Sequence, residues 1–180
     1  MIVPLFEKLQ RKHQLSLLKK HPKVQSGNIK LGINNQFTIY PEIKKVILGN
    51  ALNFRNYIHI IVQNGAVLEI GENVFLNNFC SINCLDYISI GENTLFGENV
   101  KIYDHNHKSE NELEFYVSHR EFTKAPIKIG KNCWLGSNVT VLKGVTIGNN
   151  CIIGAGCTIY KDVPENTTVV NQQHLIFKSR

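Results

Sequence analysis

From Ile129 onward the chain keeps a six-residue beat: IGKNCW, LGSNVT, VLKGVT, IGNNCI, IGAGCT, IYKDVP. An aliphatic residue leads each beat (Ile129, Leu135, Val141, Ile147, Ile153, Ile159), and a small or β-branched residue fills the fifth place (Cys133, Val139, Val145, Cys151, Cys157, Val163). The fourth place holds Asn132, Asn138, Gly144, Asn150, Gly156 and Asp162, residue types that tolerate a left-handed backbone at a tight corner. Each beat therefore reads as a short strand followed by a turn. Side chains alternate along a strand, so Cys133 and Leu135 point one way and Trp134 the other. One hexapeptide cannot bury its own apolar face. Stacked coils can, and a parallel β-helix follows.

The rhythm weakens towards the N-terminus. It is clear from Ile70 (IGENVF, LNNFCS), stretches beyond six between Ile82 and Ile90, and resumes through IGENTL, FGENVK and IYDHNH. The extra residues fall near Leu85–Tyr87. Residues 29–63 read as imperfect coils. A much longer gap separates Ile102 from Ile129, and residues 104–126 within it are a long inserted loop rich in His, Glu, Lys and Ser. Such an insertion in a solenoid marks function or disorder. Residues 1–22 read as a short amphipathic helix opened by Pro4 and closed by Pro22, a cap on the open end of the coils. A basic helix touching a membrane surface is the sharper alternative. Residues 29–103 and 127–164 are the coils and 165–180 a C-terminal tail, all within one domain.

No apolar run is long enough for a transmembrane helix, and no signal peptide stands out, so a cytoplasmic protein is the default expectation. The net charge of +6 suits an anionic ligand such as a phosphorylated cofactor. The lysines are not interleaved with stacking aromatics, which argues against nucleic acid. Cys80, Cys133, Cys151 and Cys157 fall in inward slots and read as buried thiols, whereas the beat does not place Cys84.

In a coil of three beats, residues at the same place in successive coils stack about 4.8 Å from one another. Ser137 and Ala155 stack in this way as small corner residues whose backbone could reach an extended ligand. Lys143 and Lys161 stack at another corner and offer two ammonium groups for phosphate.

The tandem hexapeptides, the interrupting loop with its histidines and the run from Trp134 to Pro164 resemble the hexapeptide-repeat acyltransferases. Within them, the run FLNNFCSINCLDYISIGENTLFGENVKIYDHNHK is similar to acetyltransferases of capsule and lipopolysaccharide gene clusters, and more distantly to galactoside and maltose acetyltransferases. The resemblance implies a left-handed β-helix, a homotrimer, acetyl-CoA as co-substrate and a saccharide acceptor. Carried over residue by residue, it implies His107 as catalytic base, with His105 the close alternative in the DHNH string. It places Asn78 and Asp86 at the acceptor, backbone amides at the Ser137 and Ala155 slots on CoA, and Trp134 and Lys161 along the same cofactor, to which the stacking of Lys143 under Lys161 adds a second ammonium group.

The implied reaction is O-acetylation of a sugar hydroxyl in a surface-polysaccharide precursor. Histidine, with an ordinary pKa of about 6.5, suits removal of the hydroxyl proton. N-acetylation of a nucleotide-linked amino sugar is the alternative on the same fold. A zinc hydrase using His105, His107 and His119, and a non-catalytic scaffold, are further alternatives. No metal site is expected.

Overall fold

The computed structural model describes residues 5–110, 114–172 and 176–178, and it is the β-helix of hexapeptide coils that the beat and the resemblance predict. Three parallel sheets form the faces of a triangular prism. The first face holds six strands (Val24–Ser26, Lys45–Leu48, Val67–Ile70, Tyr87–Ile90, Ile127–Ile129, Thr146–Ile147). The second holds seven, from Ile29–Leu31 to Thr168–Val169, and the third six, from Gln36–Ile39 to Thr158–Ile159. The coils thus continue to Val169, beyond the last clear hexapeptide.

Register explains where the beat was legible. In the last coils Trp134 faces Ile152 and Val141 faces Ile159, the same short step that joins Asn132 to Asn150. In the middle, Ile70 faces Ile90 and Ile82 faces Ile102, a longer step shared by Asn73 and Asn93. At the start Val24 faces Val46 and Ile29 faces Leu52, and the coils there are longer still. From Lys45 onward the surplus sits at the corner that leads from the third face to the first, called here the third corner. Residues 63–66, then Leu85–Asp86, then the whole insertion leave the prism there. Leu85–Asp86 is consequently a widened corner, not an interruption of a strand.

The first corner, from first face to second, is pinned by an asparagine ladder. Side-chain amides bond Asn73 to Asn93, Asn93 to Asn132, Asn132 to Asn150 and Asn150 to Asn166, at 2.9–3.2 Å. These residues all hold φ near +55°, the left-handed conformation that Asn tolerates. Of the predicted left-handed positions, all but Asp162 have positive φ. Asp162 instead accepts the Thr146 N–H through its carboxylate at 2.7 Å.

Inside the prism the beat leaders and fifth-place residues form one core, including Ile82, Ile102, Leu135, Val141 and Ile153 at 1% exposure or less. Each such side chain contributes about 1.5–3 kcal/mol by leaving water. Cys80, Cys133, Cys151 and Cys157 point inward as predicted. Cys84 joins them, donating its Sγ–H to the Val67 carbonyl at 3.1 Å. Burial pushes the Cys80 thiol up to about 12, and burial together with the nearby Asp104 raises Cys84 as well.

The N-terminal helix, Leu5–Lys20, lies over the first coil as a cap. Glu7 in its first turn and Lys19 and Lys20 in its last complement the helix dipole. Leu18 is buried, and Leu15 packs against the core. Arg11 Nε donates to the Gly32 carbonyl at 3.2 Å and Gln14 Nε2 to that of Asn35. No helix among the described residues is long and apolar enough to cross a membrane.

Candidate active site

The inserted segment is not a loop but an antiparallel hairpin of strands His105–Glu110 and Tyr116–Lys124, with residues 111–113 outside the described set. It leaves the third corner after Lys101–Tyr103, and its base is locked to the prism. Asp104, fully buried, accepts the N–H of Leu85 through both oxygens at 2.9 and 3.0 Å and the N–H of Asp86 at 2.7 Å. On the other strand, Lys124 Nζ donates to the Leu85 carbonyl at 3.1 Å. Lys143, one coil further on, donates to Thr123 Oγ1 at 2.8 Å. A polar segment with little apolar surface is thereby fixed by charge-assisted bonds.

Both predicted histidines lie on the first hairpin strand, in alternate positions and so on one face. His107 Nδ1 is 2.8 Å from the Ser118 carbonyl across the hairpin. A carbonyl can only accept, so Nδ1 carries the proton and the lone pair of the neutral ring is on Nε2. His107 is exposed, leaving that atom open to a ligand. His105 Nδ1 is 3.2 Å from Asp104 Oδ1 and its side chain is mostly buried. The Phe122 ring, opposite His107 in register, packs against both imidazoles, at 5.2 Å from His105 and 4.8 Å from His107. A register shift between His107 and Ser109 is the kind of irregularity that re-aims a strand. Ser118 Oγ accepts the N–H groups of Arg120 and Glu121, which fixes the local turn.

Asn83, Tyr103, His105, Asn106 and His107 line an open cleft of about 460 Å³. The Asn83 amide oxygen is buried and has no hydrogen-bond partner among the described residues. Buried polar atoms are almost always paired, which makes this oxygen an exception beside the cleft.

The other predicted residues fall into two groups. Asp86 belongs to the third corner with the hairpin, as do Lys143 and Lys161. Lys161 Nζ lies 5.6 Å from the Tyr160 ring centroid. Asn78, Ser137 and Ala155 line the second corner, which leads from the second face to the third. Asn78 Nδ2 donates to Glu98 and its Oδ1 accepts the Asn56 N–H, so it ties neighbouring coils. Ser137 and Ala155 stack, with the Gly156 N–H donating to the Ser137 carbonyl at 2.9 Å. Neither the Ser137 nor the Ala155 N–H donates to another group among the described residues. Trp134, 52% exposed, stands on the adjoining second face between Leu95 and Ile152. Within one chain the third face separates the imidazoles from the Ser137–Ala155 column.

His119 Nε2 accepts from Arg120 Nε at 3.2 Å, and no three His, Cys, Asp or Glu side chains converge on a metal-sized point among the described residues. Sequence reasoning missed Ser118, Phe122, Asn83 and Tyr103. The Ser118 contribution is a backbone carbonyl and leaves no mark in a sequence. The outward alternation of Ser81 and Asn83 on their strand could have drawn attention to Asn83.

Residues 126–161 match the model for the bacterial transferase hexapeptide (six repeats). The match covers about a fifth of the chain. Two curated relatives resemble a wider stretch around it. The Escherichia coli (strain K12) protein named as a lipopolysaccharide biosynthesis O-acetyl transferase, WbbJ, is 34% identical over 118 residues, 62% of this chain and 60% of the relative. The galactoside O-acetyltransferase of the same strain is 39% identical over 104 residues, 57% of this chain and 49% of the relative. The chain thus spans about half to three-fifths of the relatives' lengths. Among solved structures, a variant of the Bacillus cereus N-acyltransferase AntD, in complex with dTDP-4-amino-4,6-dideoxyglucose and coenzyme A, superimposes with a TM-score of 0.69. It covers 93% of this chain and 90% of its own at 11% identity, a likeness of fold.

Proposed function

We propose that the chain is an acetyl-CoA-dependent O-acetyltransferase acting on a sugar hydroxyl of a surface-polysaccharide precursor, with His107 as general base. The observation that carries this reading is the bond from His107 Nδ1 to the Ser118 carbonyl, which puts the lone pair of the neutral ring on Nε2, and His107 lines an open cleft. The names of the E. coli relatives support the acetyl group and the saccharide acceptor. The coenzyme A held by AntD supports the donor.

The chemistry then runs without a covalent enzyme intermediate. Nε2 of His107 takes the proton of the sugar hydroxyl as its oxygen attacks the thioester carbonyl carbon. Negative charge gathers on the carbonyl oxygen, and a fixed, uncommitted N–H such as that of Ser137 stabilises it. The C–S bond breaks, the imidazolium returns its proton to the departing thiolate, and the sugar leaves as an acetyl ester. Asn83 and Asn106 line the cleft that receives the acceptor.

The base and the donor slots occupy different corners of one chain. We read the working unit as a homotrimer in which the third corner of one copy, with its hairpin, meets the second corner of the next. Trp134 and the Ser137–Ala155 column of the neighbour then face His107, and Asp86 borders the acceptor.

The test is acetyl transfer from acetyl-CoA to a panel of saccharides by wild type, His107→Ala and His105→Ala. Loss of a positioned general base lowers the rate by about 10²–10⁴-fold, and His107→Ala should show it. Full activity in His107→Ala overturns the assignment of the base. A full loss in His105→Ala alone moves the base to that residue.

A further inference from the structure

The second corner departs from the asparagine pattern at two successive coils. Its left-handed position is occupied in turn by Asn34, Tyr57, Phe79, Asn99, Asn138 and Gly156. Asn and Gly are the residues that accept positive φ, and Asn99 and Asn138 join by an amide bond of 2.8 Å, as in the ladder at the first corner. Tyr57 at φ +59° and Phe79 at φ +64° are aromatic residues in a conformation that bulky side chains rarely adopt. Their rings stack on one another, with centroids 5.0 Å apart and planes 11° from parallel. They are nonetheless about half exposed, at 47% and 54%. In the single chain this leaves ring surface free at the corner. Strained positions of this kind persist where the surrounding fold over-determines them, and they cluster at ligand sites.

Height along the prism gives the pair its meaning. Phe79 lies one coil before Asn99 and two before Asn138, as the Asn99-to-Asn78 and Asn138-to-Glu98 backbone bonds show. At about 4.8 Å per coil, it stands about 10 Å from the Ser137 slot. The hairpin bearing His107 leaves the prism from the intervening coil, the one that carries Lys101–Tyr103. Along the axis the root of that hairpin lies between the aromatic pair and the donor slots. In the trimer read above, an acyl donor along Ser137 and Ala155 reaches the neighbour's imidazole from one end of the corner, and the aromatic pair stands at the other.

We propose that Tyr57 and Phe79 form a saccharide platform, and that the acceptor is an oligosaccharide of more than one pyranose ring laid along this corner. This rests on the acetyltransferase reading above and extends it to the acceptor's size. The π face of an aromatic ring is negative and attracts the slightly positive C–H face of a pyranose. The pair is too far from the donor slots to touch the ring that is being acetylated. It holds a neighbouring ring of the same glycan, and Asn78 on the same corner borders the path between them.

The experiment compares wild type with the Tyr57→Asn/Phe79→Asn double variant, which installs the residue this corner otherwise uses. Labelled acetyl transfer is measured on the mono-, di- and tetrasaccharides of glucose, galactose, N-acetylglucosamine and N-acetylneuraminic acid, with a thermal melt of both proteins. Wild type should gain about tenfold in kcat/KM from monosaccharide to tetrasaccharide of the accepted sugar, the worth of one good aromatic contact. The double variant should bring the tetrasaccharide down to the monosaccharide's value with a melt close to wild type. Equal rates on short and long acceptors in wild type overturn the platform while leaving the acetyltransferase standing. So does a length gain that survives in the variant, or a uniform loss on all acceptors with a much lower melt, which marks a purely structural stack. Transfer to no saccharide at all overturns both readings.

Discussion

Replacing Asp104 with Ala removes the buried carboxylate that fastens the His107-bearing hairpin to the coil beneath it. Asp104 is fully buried and accepts the backbone N–H groups of Leu85 and Asp86. Leaving those two groups without an acceptor costs about 1–3 kcal/mol each, or about 2–6 kcal/mol together. In a domain of this size each kcal/mol lowers Tm by about 2–4 °C, so a central loss of about 4 kcal/mol predicts a drop of roughly 8–16 °C. Asp104→Asn keeps one acceptor oxygen and turns a donor towards the other N–H, so it should fall between wild type and Ala. The measurement is thermal unfolding by far-ultraviolet circular dichroism at one protein concentration, because assembly shifts Tm by mass action. Activity should fall with stability, since His105 loses its Nδ1 partner and the strand carrying His107 loses its anchor. A drop in Tm below about 3 °C in Asp104→Ala would refute the reasoning, because less than one orphaned amide would then be accounted for.

Other consequences are as direct. A Cβ on Gly97 would approach the Ser137 backbone nitrogen to 2.6 Å, and one on Gly136 the Ala155 nitrogen to 2.7 Å. Either Gly→Ala change should destabilise by about 1–3 kcal/mol of overpacking, read by chemical denaturation, and should weaken acetyl-CoA binding, read by calorimetry. The raised thiols of Cys80 and Cys84 favour the neutral form in the fold. Their contribution is complete below the ordinary thiol range and is lost as pH climbs through the raised values, at up to about 1.4 kcal/mol per pH unit for each thiol. Unfolding free energy of Cys80→Ala should therefore fall less steeply than that of wild type between about pH 9 and 11. A thiol reagent at pH 8 should label none of the five cysteines until the protein unfolds.

The sequence announced the solenoid wherever its coils are shortest. From Ile129 to Val163 the coils hold nothing beyond the hexapeptides themselves, so the beat repeats without a break. The coils of residues 29–63 are just as regular in space, yet each carries a surplus at its corners that breaks the six-residue count. The hairpin was illegible for another reason. Its strands bury little, so no apolar alternation marks them, and their order comes from Asp104, Lys124 and Lys143 reaching to coils far away in sequence. His107 could be picked out by its resemblance to a motif, whereas its tautomer depends on the carbonyl of Ser118 on the opposite strand. The Tyr57–Phe79 pair was silent too, because left-handed backbone at an aromatic residue cannot be foreseen from a stretch whose register is unread.

The prism has one editable edge. Two corners are stitched coil to coil by amide bonds and by stacked rings, and an added residue there would break a bond to each neighbour. The third has no continuous ladder among the described residues and already holds spurs of different lengths, including a complete hairpin. Foreign peptides or alternative acceptor lids grafted at residues 63–66 or 143–144 should leave the remaining faces in register, which makes this edge the natural place to rebuild specificity.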